Sequence, residues 1–157
     1  MTKLEAELIL FGYMKINGRI PDKFTASILL PKKSKKSVRQ YLLELKECMP
    51  FDTLDVSELS ELHPERARLY RMMQLLGEAM DAADTGILSA NPEWNGLSPI
   101  LEPPQITGKQ VQRYYEDCLL VDVPLREVQR DVLLCKKILP LIQEQNGKEE
   151  DWGIDWY

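Results

Sequence analysis

The feature that most constrains the fold is the dipeptide Asn17-Gly18, which stands between two apolar stretches near the start of the chain. Asn-Gly is the strongest short signal for a β-hairpin, because both central residues of a type I′ turn need a positive φ. Residues 4–16 begin with apolar and charged residues in alternation, and residues 23–30 alternate between two faces. The pattern predicts an antiparallel hairpin whose second strand ends at Pro31.

Beyond residue 34 the apolar residues recur at the spacing of helices. The next helix can be capped by Ser34 or Ser37 and is stopped by Pro50. Three more helices are predicted over residues 64–83, 107–119 and 124–145. Pro140 is expected to kink the last of them or to end it early. The Gly- and Pro-rich residues 86–106 predict a loop with a short strand at 100–101.

We therefore expect an α+β fold, in which an N-terminal antiparallel hairpin or small sheet packs against three or four α-helices. A chain of 157 residues fits one domain. We assign residues 1–147 to a single globular domain and residues 148–157 to an acidic, aromatic C-terminal tail. Because an isolated hairpin is marginal in water, a sheet shared between two copies of the chain is a possible homo-oligomer contact.

Charge divides the chain unevenly. Residues 1–50 hold ten Lys or Arg against five Asp or Glu, whereas the rest of the chain holds ten against twenty. Five cations stand within eight residues, with no acid between Asp22 and Glu44, and we call them the basic cluster: Lys32, Lys33, Lys35, Lys36 and Arg39. Cations at a helix start favour contact with phosphates. The alternatives are a solvated loop or pairing with acids of this same chain.

Aromatic residues supply two further candidate sites. Phe11 and Tyr13 share the parity of one strand face, and exposed rings there would stack on bases, although their apolar neighbours favour a core position. In the tail, acids alternate with aromatic residues, which suits binding to a partner through Trp152, Trp156 and Tyr157. The alternative for the tail is an ordinary terminal strand packed on the domain.

Several classes of function find little support in the sequence. Cys48, Cys118 and Cys135 are widely spaced and fall at apolar helix positions, which is typical of buried thiols. With one histidine, His63, and no C-x-x-C pair, we expect no metal site. There is no Gly-rich phosphate loop and no hydrolase motif, so we expect neither an enzyme nor a cofactor. A polar N-terminus and the absence of a long apolar run indicate a cytoplasmic protein without membrane contact.

The segment Lys23-Phe-Thr-Ala-Ser-Ile-Leu-Leu-Pro-Lys-Lys-Ser34 resembles an early strand of phage single-stranded-DNA-binding proteins with an oligonucleotide-binding fold. Some of those proteins also end in an acidic tail with a terminal aromatic residue. The resemblance is confined to residues 19–39 and the tail, and it implies binding of single-stranded DNA.

Two functional hypotheses follow. The first is a non-catalytic nucleic-acid-binding accessory protein, with the phage origin that the resemblance implies, whose basic cluster contacts phosphates. The second is a protein-interaction module, such as an assembly subunit or an inhibitor of a nucleic-acid-handling complex, which would use the acidic surface of residues 51–157.

Overall fold

The computed structural model describes residues 1–85 and 107–154. This part of the chain contains helices and no β-strand, so the predicted α+β fold with an N-terminal hairpin is wrong. The short strand predicted at residues 100–101 lies outside the described residues. The helices are α1 Lys3–Asn17, α2 Lys23–Leu29, α3 Lys35–Glu47, α4 Val56–Leu62, α5 Ala67–Thr85, α6 Gly108–Tyr114 and α7 Leu125–Ile154.

Helix α1 replaces the first predicted strand. Its N-cap is Thr2, whose hydroxyl accepts a hydrogen bond from the Glu5 amide. Every residue from Glu5 to Met14 is buried. A helix that is buried all round has no polar face to reveal the 3.6-residue period, and the remaining pattern resembles a strand.

Gly18 has the positive φ that the sequence predicts, but it ends a helix instead of forming a hairpin turn. Its φ is 71°, and its amide donates to the Met14 carbonyl in the manner of a left-handed C-cap. The Asn17 side-chain amide donates to the Tyr13 carbonyl, which satisfies another free acceptor of the last turn. A glycine with positive φ is therefore compatible with a hairpin turn and with a helix C-cap, and the local sequence does not distinguish between the two.

Helix α2 replaces the second predicted strand. Asp22 caps it by accepting from the Thr25 amide at 2.7 Å, and this contact lowers the pKa of the Asp22 carboxyl. Ala26, Leu29 and Leu30 are buried at helical spacing, whereas Phe24 is largely exposed. The apparent alternation over residues 23–30 arises because apolar residues occupy both faces of this short helix.

The later helices confirm most of the sequence prediction. Ser34 and Thr107 are N-caps, and the Thr107 cap is a full capping box with Gln110. The predicted helix at 64–83 is α5, which a 3₁₀ turn at Pro64–Arg66 precedes. The predicted helix at 107–119 is α6 continued by a π-helix, Tyr115–Leu119. Helix α7 runs through Pro140 instead of ending there.

The chain forms two compact units. Unit 1 comprises Met1–Leu54 with Pro140–Tyr157, and unit 2 comprises Asp55–Leu139. In unit 1, α1 packs against both α2 and α3, and Gly12 lets α1 approach Ile142 so closely that an added Cβ would lie 2.7 Å from Ile142 Cγ1. In unit 2, α4 packs on α5. None of the described helices is long and apolar enough to cross a membrane.

Candidate nucleic-acid interface

The basic cluster lies in the connection between α2 and α3 and in the first turns of α3. Lys32 and Lys33 belong to the connection, where the Lys33 amide donates to the Leu30 carbonyl at 3.1 Å. Ser34 accepts from the Ser37 amide at 3.1 Å and so begins α3 directly after Lys33. These caps hold the cations at one end of a well-defined helix.

Four members of the basic cluster are exposed: Lys32, Lys35, Lys36 and Arg39. Lys33 is half-buried, and its Nζ donates to the Met1 carbonyl at 2.9 Å. Within residues 1–85 and 107–154, no member of the cluster forms an ion pair with an Asp or Glu. The described part of the chain therefore offers no internal carboxylate partner to these cations.

The exposed face of α3 extends the cluster into a longer basic stripe, formed by Lys36, Arg39 and Lys46 with Leu43 between them. These residues recur at intervals of three or four, which places them along one side of the helix. At a rise of about 1.5 Å per residue, the stripe from Lys36 to Lys46 is about 15 Å long. Lys46 stands apart from the run of cations at residues 32–39, so only the helical spacing of α3 connects it to the cluster.

Helix α3 carries two acids, the exposed Glu47 in its last turn and Glu44, of which Glu44 is compensated. Glu44 Oε1 accepts from Lys3 Nζ at 2.9 Å and from the Gln40 side-chain amide at 3.4 Å. The Glu44 side chain is only 17% exposed. Its negative charge is therefore engaged by α1, which leaves the outer face of the first α3 turns positive.

The predicted stacking residues lie in the core. Phe11 is fully buried and meets the ring of Phe51 edge to face at 5.3 Å between centroids. Tyr13 is buried, and its hydroxyl accepts from an Arg19 guanidinium nitrogen at 3.2 Å. Strand parity placed the two rings on one face, but residues two apart on a helix point about 200° apart. Neither ring is available for stacking on a base.

Trp152, Trp156 and Tyr157 are the residues predicted to bind a partner through the tail. Trp152 lies in α7, so its backbone is helical and does not form the alternative terminal strand. Trp156 and Tyr157 lie outside the described residues.

A second cluster of charged residues, absent from the sequence prediction, lies in unit 2 around Asp131. The Asp131 carboxylate is fully buried and accepts from Arg71 Nε at 2.6 Å and Arg68 Nε at 2.8 Å. The Tyr115 hydroxyl donates to Asp131 Oδ2 at 2.8 Å, and a second Arg71 nitrogen lies 3.3 Å from Oδ1. Both carboxylate oxygens are thus satisfied, which a buried charge requires.

The groups around Asp131 are held in fixed ionisation states. Burial by itself would lower the pKa of Arg71, but the hydrogen bond and the charge of Asp131 more than offset it and raise that pKa. Burial, reinforced by the Asp131 charge, raises the pKa of Tyr115 well above its usual value. Arg71 is therefore a cation, and Tyr115 a neutral donor, over the physiological range.

Two shallow clefts flank Arg71. One, of about 310 Å³, is lined by Ser57, Glu61 and the exposed Leu120, whose φ is 56°. The other, of about 360 Å³, is lined by Glu65, Arg68 and Arg130. Acids and bases are mixed in both, and the Arg71 guanidinium is already engaged by Asp131. The network therefore has the properties of a structural clamp that joins α5, the π-helix and α7.

Other chemistry has few candidate residues. Cys48 and Cys135 are buried, and Cys118 is half-buried. No group of three His, Cys, Asp or Glu side chains that could hold a metal ion occurs in residues 1–85 and 107–154. The imidazole of His63 is half-exposed and lies 3.9 Å from Glu65.

Comparison with protein-family models, with curated proteins and with solved structures found no match to this chain. The segment that resembles an early strand of the oligonucleotide-binding fold is helix α2 and the following connection.

Proposed function

We propose that this protein is a non-catalytic, cytoplasmic nucleic-acid-binding accessory protein that contacts phosphates through the basic cluster and the adjoining face of α3. The observation that carries the proposal is the exposure of Lys32, Lys35, Lys36 and Arg39, together with the lack of any Asp or Glu paired with them in the described residues. Cations of this kind bind polyphosphate by releasing its condensed counterions.

The length of the stripe supports several contacts at once. About 15 Å of helix from Lys36 to Lys46 spans several phosphates of a nucleic-acid strand, whose charges are about 3.4 Å apart along the axis of a duplex. The capped start of α3 adds backbone N–H groups that also favour anions. The contacts named here are made to the backbone and carry no sequence information by themselves.

The proposal is tested by titrating a labelled oligonucleotide at several salt concentrations. With four phosphates neutralised, affinity is expected to fall about 150-fold between 50 and 200 mM salt for a duplex, and about 50-fold for a single strand. Failure to bind at 50 mM salt would contradict the proposal, as would an affinity that is indifferent to salt.

The alternative, a protein-interaction module that uses an acidic surface, makes the opposite prediction. Such a module would bind a basic protein and leave oligonucleotides unbound at every salt concentration. The first cleft of unit 2 holds Glu61, Asp122 and Glu127 beside Arg71, and the second holds Glu65 and Glu127 beside Arg68, Arg71 and Arg130. Because these charges are mixed, we favour the nucleic-acid function.

A further inference from the structure

Helices α2 and α3 are two packed helices joined by a short connection, Leu30–Ser34. Helix α1 packs against both of them and supplies the core on which they rest. Leu29 and Leu30 are buried at the end of α2, which fixes where the chain turns. Two short helices in this order, joined by a short connection and supported by a third, match the element order of a helix-turn-helix unit.

In a helix-turn-helix unit, the second helix contacts DNA through its exposed residues. In α3 the buried residues are Val38, Tyr41, Leu42 and Leu45. The opposite face exposes a different set, which begins in the N-terminal half and reaches the middle of the helix: Lys35, Lys36, Arg39, Gln40 and Leu43. One face of α3 is therefore committed to the core, and the other is unoccupied within the described residues of unit 1.

We propose that α2 and α3 act as a helix-turn-helix and that α3 enters the major groove of duplex DNA. This inference rests on the proposed function, and it adds which nucleic acid is bound and how. An α-helix with its side chains is about 10–12 Å across, which fits a major groove about 12 Å wide. In helix-turn-helix proteins the N-terminal residues of the second helix contact the bases.

The exposed residues of α3 have the chemistry that base edges require. Arg39 can form a bidentate pair with guanine, and Gln40 can do so with adenine. Leu43 can contact the methyl group of thymine. Lys32, which precedes α3, then contacts phosphates beside the groove, as does Lys46 at the far end of the helix.

The charge of the exposed α3 face suits any nucleic acid, and the lack of an aromatic ring on that face favours a duplex over a single strand. Sequence-tolerant binding of single strands uses exposed aromatic rings on which bases stack. The exposed residues of α3 are Lys, Arg, Gln and Leu with one Glu, Glu47, in the last turn, and none of them is aromatic. Duplex RNA is also excluded as the preferred ligand, because its deep and narrow major groove does not admit side chains.

The first test is selection from a pool of random-sequence duplex DNA, followed by affinity measurements at one salt concentration. The selected duplex is compared with an unselected duplex, with the single strand of the selected sequence, and with the corresponding duplex RNA. We expect the selected duplex to bind at least about 10-fold more tightly than the other three.

Two outcomes of this test are distinguishable. If no sequence is enriched, or if the single strand or duplex RNA binds as well, the major-groove inference falls and the proposed phosphate contact stands. If none of the four probes binds at low salt, the proposed function falls as well.

A substitution that leaves the charge unchanged separates base contacts from phosphate contacts. Gln40→Ala is expected to lower the affinity ratio of selected to unselected duplex by about 5- to 150-fold. Gln129→Ala, an exposed glutamine on α7, is the matched control and is expected to leave that ratio unchanged. An unchanged ratio for Gln40→Ala, in a protein with wild-type melting temperature, overturns the placement of α3 in the groove.

A second pair of variants tests the orientation of α3. Lys36→Ala and Lys46→Ala each remove one exposed lysine, so their effects on binding to an unselected duplex are expected to be similar. Because only Lys36 lies in the N-terminal half, Lys36→Ala should lower the ratio of selected to unselected affinity more than Lys46→Ala does. Equal ratios would contradict the orientation.

Discussion

Each unit contains a cluster of cationic side chains among its described residues. The cluster of unit 1 is exposed to solvent, whereas that of unit 2 surrounds a buried carboxylate. In unit 1, Lys35, Lys36 and Arg39 are exposed on α3 and have no carboxylate partner among the described residues. In unit 2, Arg71 is buried against Asp131 at 2.6 Å, with Arg68 beside it. The contrast teaches that partners and burial, more than the number of positive charges, decide whether a cluster can bind a ligand. The substitutions that follow test that contrast in order of decreasing expected loss of stability at neutral pH, and one further prediction concerns alkaline pH.

The largest effect is expected from Asp131→Ala in unit 2. This change leaves the buried Arg71 charge without its partner, which typically costs about 3–5 kcal/mol of unfolding free energy. Chemical denaturation measures the loss. The matched control is Asp117→Ala, which removes an exposed carboxylate 3.4 Å from Arg113 and should cost less than about 1 kcal/mol. Equal losses for the two variants would show that the Asp131 network is not a clamp.

The next effect concerns the neutral member of the same network. Tyr115→Phe removes one hydrogen bond to the buried carboxylate, and such bonds to charged groups contribute about 1.5–3 kcal/mol. Asp131 keeps its bonds to Arg68 and Arg71, so the loss should be smaller than for Asp131→Ala. Urea denaturation of both variants gives the order. A larger loss for Tyr115→Phe would contradict the assignment of the charge pair as the main contribution.

A substitution in the core of unit 1 provides a comparison without charge. In Gly12→Ala the new Cβ would overlap Ile142, and overpacking of this kind costs about 1–3 kcal/mol. Gly18→Ala is the matched control for space, since nothing lies near that Cβ, although its positive φ brings a separate strain. The double variant Gly12→Ala with Ile142→Val should recover part of the stability that Gly12→Ala loses. No recovery would mean that the overlap is relieved elsewhere.

Alkaline pH is expected to lower the folding stability of unit 2, because the buried Cys135 thiol resists ionisation in the folded state. Burial, with the Asp131 charge, raises the pKa of Cys135 to about 12, whereas a thiol in the unfolded chain titrates near its ordinary value. The stabilisation is complete below the unfolded pKa and is lost as pH rises from about 9 to 12, by up to about 1.4 kcal/mol per pH unit. The unfolding free energy, measured from denaturation curves at several pH values in that range, should fall less steeply with pH in Cys135→Ala than in the wild type. An unchanged pH dependence would contradict the raised pKa.

The smallest effect on stability is expected for the exposed cluster itself. Replacing Lys35, Lys36 and Arg39 by Ala removes solvated side chains, and surface changes of this kind usually alter stability by less than about 0.5 kcal/mol each. Thermal melting checks this expectation. A marked loss of stability would mean that the cluster has structural partners after all.

The sequence predicts correctly those helices that have one buried face and one exposed face, because their apolar residues recur at the helical spacing. Helix α3 shows buried Val38, Tyr41 and Leu42 against exposed cations, and Ser34 marks its start. Helix α1 was missed because residues 5–14 are buried on every side, so no polar face reveals its period. If residues 4–16 are predicted to be a strand, Asn17-Gly18 is predicted to be a hairpin turn. The wrong α+β fold class follows from these two predictions.

The two charged clusters differ in the same way. The basic cluster is a run of neighbouring residues, so the sequence alone locates it. The bond between Arg71 and Asp131 joins residues 60 positions apart, and only the packing of α5 against α7 brings them together. One local signal was present: Asp131 falls among the apolar positions of α7, where a charge predicts a buried partner.

The most direct measurement is the salt dependence of binding to a duplex DNA of unselected sequence, on which all the cations contact phosphates, compared between the wild-type chain and the variant with Lys35, Lys36 and Arg39 replaced by Ala. The slope of log affinity against log salt should be smaller in magnitude by about 2.7 for the variant, since three phosphate contacts are lost. An unchanged slope, in a variant that melts like the wild type, would contradict the assignment of this cluster as the nucleic-acid interface.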